Sequence, residues 1–313
     1  MRIKVLGSAA GGGFPQWNCA CRNCRGIRDG SVRATARSQT QIAFSADPAG
    51  SIWFLAPASP DLRTQILHAR ELCPGANNVN HSPIAGVFLP SADVDSVMGL
   101  LHLREFQNFF LFATPAVQRI LKKENRIFAV LERSDPPVQW QTLSSNGRLG
   151  CHLSETPSEA PSFICSTIPL GDTYPDYVSE ELRRTLSAEE ASIAFIFEQQ
   201  SKTVFFAPSV SGCNSEWIKP AASSDLVLID GTFWSNNELA HTGRSKKTAR
   251  EIGHLPLSGP DGLLAQFPKT ARGRKVLIHI NNTNPILDED SSERREVLDA
   301  GFEIAYDGME FEL

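Results

Sequence analysis

At 313 residues the chain is long enough to bury a substantial core, as one large domain or two small ones. Hydrophobic residues at 41% and charged residues at 21% are ordinary for a globular protein, and a formal charge of −5 without a basic stripe excludes a general attraction to nucleic acid or anionic lipid. No secretory signal opens the chain and no apolar stretch approaches the roughly 20 residues that cross a bilayer, so a cytoplasmic protein without membrane insertion is expected.

A short β-like run, Ile3 to Leu6, leads into Gly7-Ser8-Ala9-Ala10-Gly11-Gly12-Gly13-Phe14-Pro15. These glycines lack the Gly-Lys-Ser/Thr ending of a phosphate-binding loop, and no helix follows them directly. They read instead as tight backbone beside a site. Cys19, Cys21 and Cys24 come next, a C-x-C-x-x-C arrangement on a loop. Thiolates suit zinc, and clustered cysteines in a chain without secretory features are metal ligands more often than disulfide partners. Three ligands leave a fourth to come from elsewhere, so the metal is expected to tie the N-terminal segment to a distant part of the chain. Seven cysteines is an odd number, and Cys73, Cys151, Cys165 and Cys213 are scattered, as in a reducing compartment where they are structural.

Further β-rich runs fall at 52–55, 84–89, 109–112, 163–168, 193–198, 203–206, 226–229, 276–280, 303–306 and 310–313. Helical patterns lie between many of them, at 61–72, 94–105, 115–123, 214–221, 262–267 and 292–300. The alternation predicts an α/β fold with two mixed sheets in the middle and helices outside. Asp135-Pro136-Pro137 and Ser154 to Pro161 read as surface insertions, and neither is long enough for an interdomain linker. With no internal repeat, residues 1–313 are expected to form a single domain.

Carboxylates and histidines recur where β runs end. Phe88-Leu89-Pro90-Ser91-Ala92-Asp93-Val94-Asp95-Ser96 passes from a β run through a polar turn into an amphipathic helix. Asp93 and Asp95 there can bind a cation through oxygen or simply cap the helix. Asp230 ends Leu226-Val227-Leu228-Ile229, and His279 ends Val276-Leu277-Ile278 before the polar Asn281 to Asn284. Gly253-His254-Leu255 is a further loop-edge group. Such groups on separate elements make a shared site reasonable without showing that they converge.

Several stretches carry a resemblance: Val5 to Cys19, Ala58-Ser59-Pro60-Asp61, Gly99-Leu100-Leu101, Leu103-Arg104-Glu105, Asp230-Gly231-Thr232, Gly253-His254-Leu255, His279-Ile280-Asn281-Asn282-Thr283-Asn284-Pro285 and Asp307-Gly308-Met309. Taken in order from Met1 to Leu313, they resemble the coenzyme PQQ synthesis protein B family of the metallo-β-lactamase superfamily. The resemblance implies the metallo-β-lactamase fold, an αββα four-layer sandwich. It implies a role in the biosynthesis of pyrroloquinoline quinone (PQQ), made from a Glu and a Tyr of a small precursor peptide. Two roles fit the family: an iron-dependent oxygenase that hydroxylates the Tyr ring of the excised Glu-Tyr-derived precursor, or a non-catalytic carrier of PQQ or its precursor that assists transport to the periplasm. A divergent paralogue with impaired metal binding, or a hydrolase of the wider fold, is a weaker fit.

The resemblance also supplies residues. Asp95, Asp230 and His279 match an active-site metal centre, for iron or another divalent metal, and His254 is placed for acid/base work. The superfamily motif H-x-H-x-D-H falls on Ser91 to Ser96, so Ser96 stands where protein B keeps a His, and a hydroxyl is the poorer ligand. Asp93 is the neighbouring substitute, and His102 would serve only if the helix were shifted. Arg104, with Gly12 and Gly13, is assigned to hold substrate carboxylates. Cys19, Cys21 and Cys24 become a structural zinc site near a homodimer contact, with Asn282 as the candidate fourth ligand.

Overall fold

The computed structural model describes residues 1–47, 49–75, 82–105, 108–133, 135, 137–152, 162–243 and 245–313. The expected insertion Ser154 to Pro161 lies outside the described residues, as does Pro136 of the other. The described strands, in chain order, are β1 (Arg2–Gly7), β2 (Gln41–Ser45), β3 (Trp53–Ala56), β4 (Ile84–Phe88), β5 (Phe110–Ala113), β6 (Gln139–Thr142) and β7 (Arg148–Cys151). They continue with β8 (Phe163–Gly171), β9 (Ser192–Gln199), β10 (Lys202–Ala207), β11 (Leu226–Asp230), β12 (Arg274–Ile278), β13 (Glu303–Ile304) and β14 (Glu310–Glu312). The chain divides into two compact units. The first comprises Met1–Leu6, Gln41–Lys202 and Gly308–Leu313, the second Gly7–Thr40 and Thr203–Asp307.

In the first unit the strands run in the order β14-β1-β2-β3-β4-β5-β6. β14 and β2 pair antiparallel with β1 and β3 respectively, whereas β3, β4, β5 and β6 are parallel neighbours. Parallel neighbours need a crossover, and helices supply it: Leu62–His68 after β3, Val94–Val97 after β4 and Pro115–Lys123 after β5. The last of these is capped by the Thr114 hydroxyl, which accepts from Val117 N–H, and has Pro115 at its first position. It turns Val117, Ile120 and Leu121 onto a core that includes Leu55, Val87 and Leu111. β7, β8 and β9 form an antiparallel run in the same unit. Phenylalanines fill the space between the two sets of strands. Phe44 lies 4.1 Å from Phe197, and Phe88 stacks on Phe112 at 4.1 Å and 4° while meeting Phe195 edge-on at 5.6 Å.

Helical periodicity over 94–105 predicted one helix; the structure has a single α turn, Val94–Val97, and then 3-10 helix from Met98 to Arg104. Gly99 explains the change. Its N–H donates to Ala58 O at 2.9 Å, and a Cβ there would stand 2.2 Å from the Ser59 carbonyl, so the segment is pressed against neighbouring backbone.

In the second unit β10, β11, β12 and β13 pair parallel in that order. Leu226 to Asp230 and Val276 to Ile278 are buried throughout, as strands covered on both faces are. The N-terminal segment meets the chain just after β12 through a bridge from Ala9 to Ile280, and closes on itself through one from Ala9 to Gln39. Among the described residues no helix is long and apolar enough to cross a membrane.

Candidate metal centre

Among the described residues, two clusters of metal-ligating side chains, both in the second unit, have one donor atom per residue within 4.8 Å of one another: Cys19, Cys21 and Cys24, and Asp230, His254 and His279. The cysteines do not sit on a plain loop. Cys21 is the N-cap of the helix Arg22–Asp29, its sulfur accepting from Cys24 N–H at 3.5 Å, so the first helical turn sets the spacing of two thiols. Asn282, 2% exposed, closes the cluster: Nδ2 lies 3.1 Å from Cys19 Sγ, 3.3 Å from Cys24 Sγ and 3.6 Å from Cys21 Sγ. Asn23 holds the Asn282 segment from behind, donating to the carbonyls of Asn282 at 3.2 Å and Asn284 at 2.8 Å. Burial pushes the Cys24 thiol up to about 11, so a cation is needed to hold it as thiolate. Three sulfurs and an amide, which half a rotation turns from Nδ2 to Oδ1, suit a tetrahedral ion such as zinc.

Asp230 ends β11 with its side chain 1% exposed, and each oxygen of its carboxylate has two close polar partners. Oδ2 accepts from Val210 N–H at 2.9 Å and faces His254 Nδ1 at 2.8 Å; Oδ1 accepts from Thr232 N–H at 2.9 Å and the Thr232 hydroxyl at 2.6 Å. Burial alone would raise this carboxyl, but the charges of His254 and His279 and the bonds from His254 and Thr232 outweigh it and hold it below the usual carboxylate range. Gly253, at φ 84°, delivers His254 to the cluster, and the imidazoles of His254 and His279 stack at 5.3 Å and 19°. The expected strand 276–280 ends at Ile278, because His279 takes the left-handed φ of 60°. Its ring thereby leaves the strand, with Nδ1 2.9 Å from Thr232 Oγ1. Two imidazoles and one carboxylate form a donor set suited to a divalent cation.

The structure therefore brings Asp230 and His279 together and adds His254, which sequence reasoning had set aside for acid/base duty. Asp95, expected as a third ligand, belongs to the first unit, in the first turn of Val94–Val97. Beside it Ser91 donates to Asp93 Oδ2 at 2.7 Å and lies 3.4 Å from the hydroxyl of the buried Ser96. Asp93 holds the N-cap position without a side-chain capping bond. Arg104, also in the first unit, donates to Leu101 O at 2.6 Å and pairs with Glu105 at 2.9 Å. Gly13 stands at φ 65°, and a Cβ on Gly12 would meet Gln16 at 2.7 Å, so both glycines serve a tight turn. His102 lies in the 3-10 segment.

Two residues of this neighbourhood escaped sequence reasoning. Thr232 touches both Asp230 and His279, and only its place in Asp-Gly-Thr hinted at it. Glu238, 7% exposed, accepts from Trp234 N–H at 2.7 Å and from the Thr283 hydroxyl; burial pushes its carboxyl up to about 7.

Residues 52–280 match the beta-lactamase superfamily domain family. Coenzyme PQQ synthesis protein B of Pseudomonas protegens is 39% identical over 315 residues, covering 100% of both chains. The protein of the same name from Azotobacter vinelandii is 39% identical over 313 residues, again with 100% of both covered. Among solved structures, Zn2+-bound PqqB from Methylobacterium extorquens superposes with a TM-score of 0.88 at 34% identity over 100% of both chains. A diphosphatase of the PhnP family, at 16% identity and a TM-score of 0.65 over 100% of this chain and 97% of its own, shares the fold.

Proposed function

The chain belongs to the coenzyme PQQ synthesis protein B family and has the metallo-β-lactamase fold, and from that premise we propose that it serves PQQ biosynthesis by metal-dependent hydroxylation of the Tyr ring of the Glu-Tyr-derived precursor. The observation that carries the reading is the convergence of Asp230, His254 and His279 on one point. Iron(II) held there would supply oxygen activation through its open coordination positions. The protein's own part is to keep Asp230 ionised, to orient both rings and to leave one side accessible, with His254 13% exposed. Cys19, Cys21, Cys24 and Asn282 hold a separate structural zinc, in a cytoplasmic homodimer.

Ser96 favours a second reading. It is buried where the family pattern places an imidazole, and a centre short of one ligand suits a carrier that binds PQQ or its precursor without turnover. Anaerobic loading with iron(II), followed by oxygen, a two-electron reductant such as ascorbate and a Glu-Tyr dipeptide, separates the two; one oxygen atom would enter the ring and the other leave as water. The proposal expects a product bearing added oxygen, lost in His279→Ala. Full iron binding with no oxygen consumed, together with saturable binding of PQQ, would establish the carrier instead.

A further inference from the structure

We infer that Thr232 is a positioning residue of the Asp230, His254 and His279 centre: its one hydroxyl touches His279 at ring and carbonyl and fixes the neutral tautomer whose lone pair lies on Nε2. The inference rests on reading the cluster as a metal centre, but the contacts that carry it are the protein's own. Thr232 Oγ1 lies 2.6 Å from Asp230 Oδ1, 2.8 Å from the His279 carbonyl oxygen and 2.9 Å from His279 Nδ1. A hydroxyl has one hydrogen and two lone pairs. Two of its three neighbours here are oxygens, one of an ionised carboxylate and one of a carbonyl, and both only accept. The one hydroxyl hydrogen can at most be shared between these two acceptors, so none remains to donate to Nδ1. The third contact must run the other way, Nδ1–H donating to Oγ1. A neutral imidazole protonated at Nδ1 carries its lone pair on Nε2.

The same logic sets the second ring. His254 Nδ1 faces Asp230 Oδ2 at 2.8 Å, so it too carries the hydrogen, which in the neutral ring puts the lone pair on Nε2. Thr232 is itself fixed at its backbone: its N–H donates to Asp230 Oδ1 at 2.9 Å, and its carbonyl accepts from Asn281 N–H at 3.1 Å and Asn284 Nδ2 at 3.2 Å. The clamp also explains the backbone of His279. A φ of 60° in a residue other than glycine persists only where its surroundings impose it, and the hydroxyl bond to the His279 carbonyl is one such constraint. The requirement is for a hydroxyl. Serine should satisfy it, and valine, which has nearly the same shape, should not.

Long-range proton–nitrogen correlation spectra distinguish protonated from bare ring nitrogens. In the wild type and in Thr232→Ser, His279 should show a protonated Nδ1 and a bare Nε2. Thr232→Val should give a mixture of tautomers. Its affinity for Co(II), titrated after the cysteine cluster has been filled with zinc, should fall about 10- to 100-fold, with Thr232→Ser restoring it. A Thr232→Val protein that keeps the wild-type tautomer or the wild-type Co(II) affinity overturns the inference. So does a wild-type spectrum with a bare His279 Nδ1, which decides the matter even if the valine variant does not fold. The spectra need no turnover, so a protein that hydroxylates nothing would defeat the functional proposal and leave this one standing.

Discussion

Glu238 shows what a single buried carboxylate does to this protein. Burial lifts its carboxyl from 4.5 to about 7, despite bonds from Thr283 and the backbone of Trp234. The folded value lies above the unfolded one, so the folded chain keeps a proton that the unfolded chain gives up. Stability from this group is therefore intact below 4.5, falls as pH rises towards about 7, and levels off beyond. The gap corresponds to roughly 3 kcal/mol. Denaturant unfolding of Glu238→Gln should show the variant gaining on the wild type by about that amount between pH 4.5 and 7, whatever constant offset the amide introduces; parallel profiles would refute the argument. Legibility at this scale was uneven. Asp230 and His279 could be picked out because each follows an apolar run and precedes polar residues. His254 was visible as a loop-edge group, but nothing in Gly-His-Leu tells a ligand from an acid. Thr232 and Glu238 are common residue types whose importance comes from burial and partners, which are properties of the folded chain.

At the scale of elements, the strands of the first unit are held by the phenylalanine layer. Phe88 is fully buried, stacked on Phe112 and flanked by Phe195 and Phe197. Phe88→Ala should destabilise the protein by about 3–5 kcal/mol, the usual cost of removing a buried ring and leaving a cavity. A loss under about 1 kcal/mol in equilibrium unfolding would show that the layer collapses around the gap. Apolar runs located most strands to within a residue or two, because a strand buried on both faces has a continuous apolar signature. β2, β6 and β7 were missed: Gln41 and Ser45 at the ends of β2 interrupt its apolar run although both are buried, and Gln139–Thr142 and Arg148–Cys151 are short and only partly buried. The helix Arg22–Asp29 was missed for a related reason: its cysteines read as loop ligands, and its helical signal is polar. The curtailed helix after Asp93 was unpredictable without knowing that Gly99 lies against the Ala58 and Ser59 backbone.

For the molecule as a whole, one short segment serves both candidate centres. His279 contributes a ring to one, and three residues later Asn282 closes the other. Ile280, between them, is bonded through its backbone to Ser8 and Ala10 of the N-terminal segment that carries the cysteines. The fold class was recoverable from the alternation of elements and from the family's strings of residues. The distribution of ligands was not, because convergence is decided by how distant segments meet. The proposed function requires a metal centre in the second unit at Asp230, His254 and His279, distinct from the cysteine site. Metal analysis of the purified protein and two variants tests it most directly. The expected result is about one zinc per chain that Cys24→Ser removes, and a second divalent ion, retained after iron(II) loading, that His279→Ala alone removes. A single zinc per chain, lost only in Cys24→Ser, with iron(II) uptake no different between wild type and His279→Ala, would contradict it.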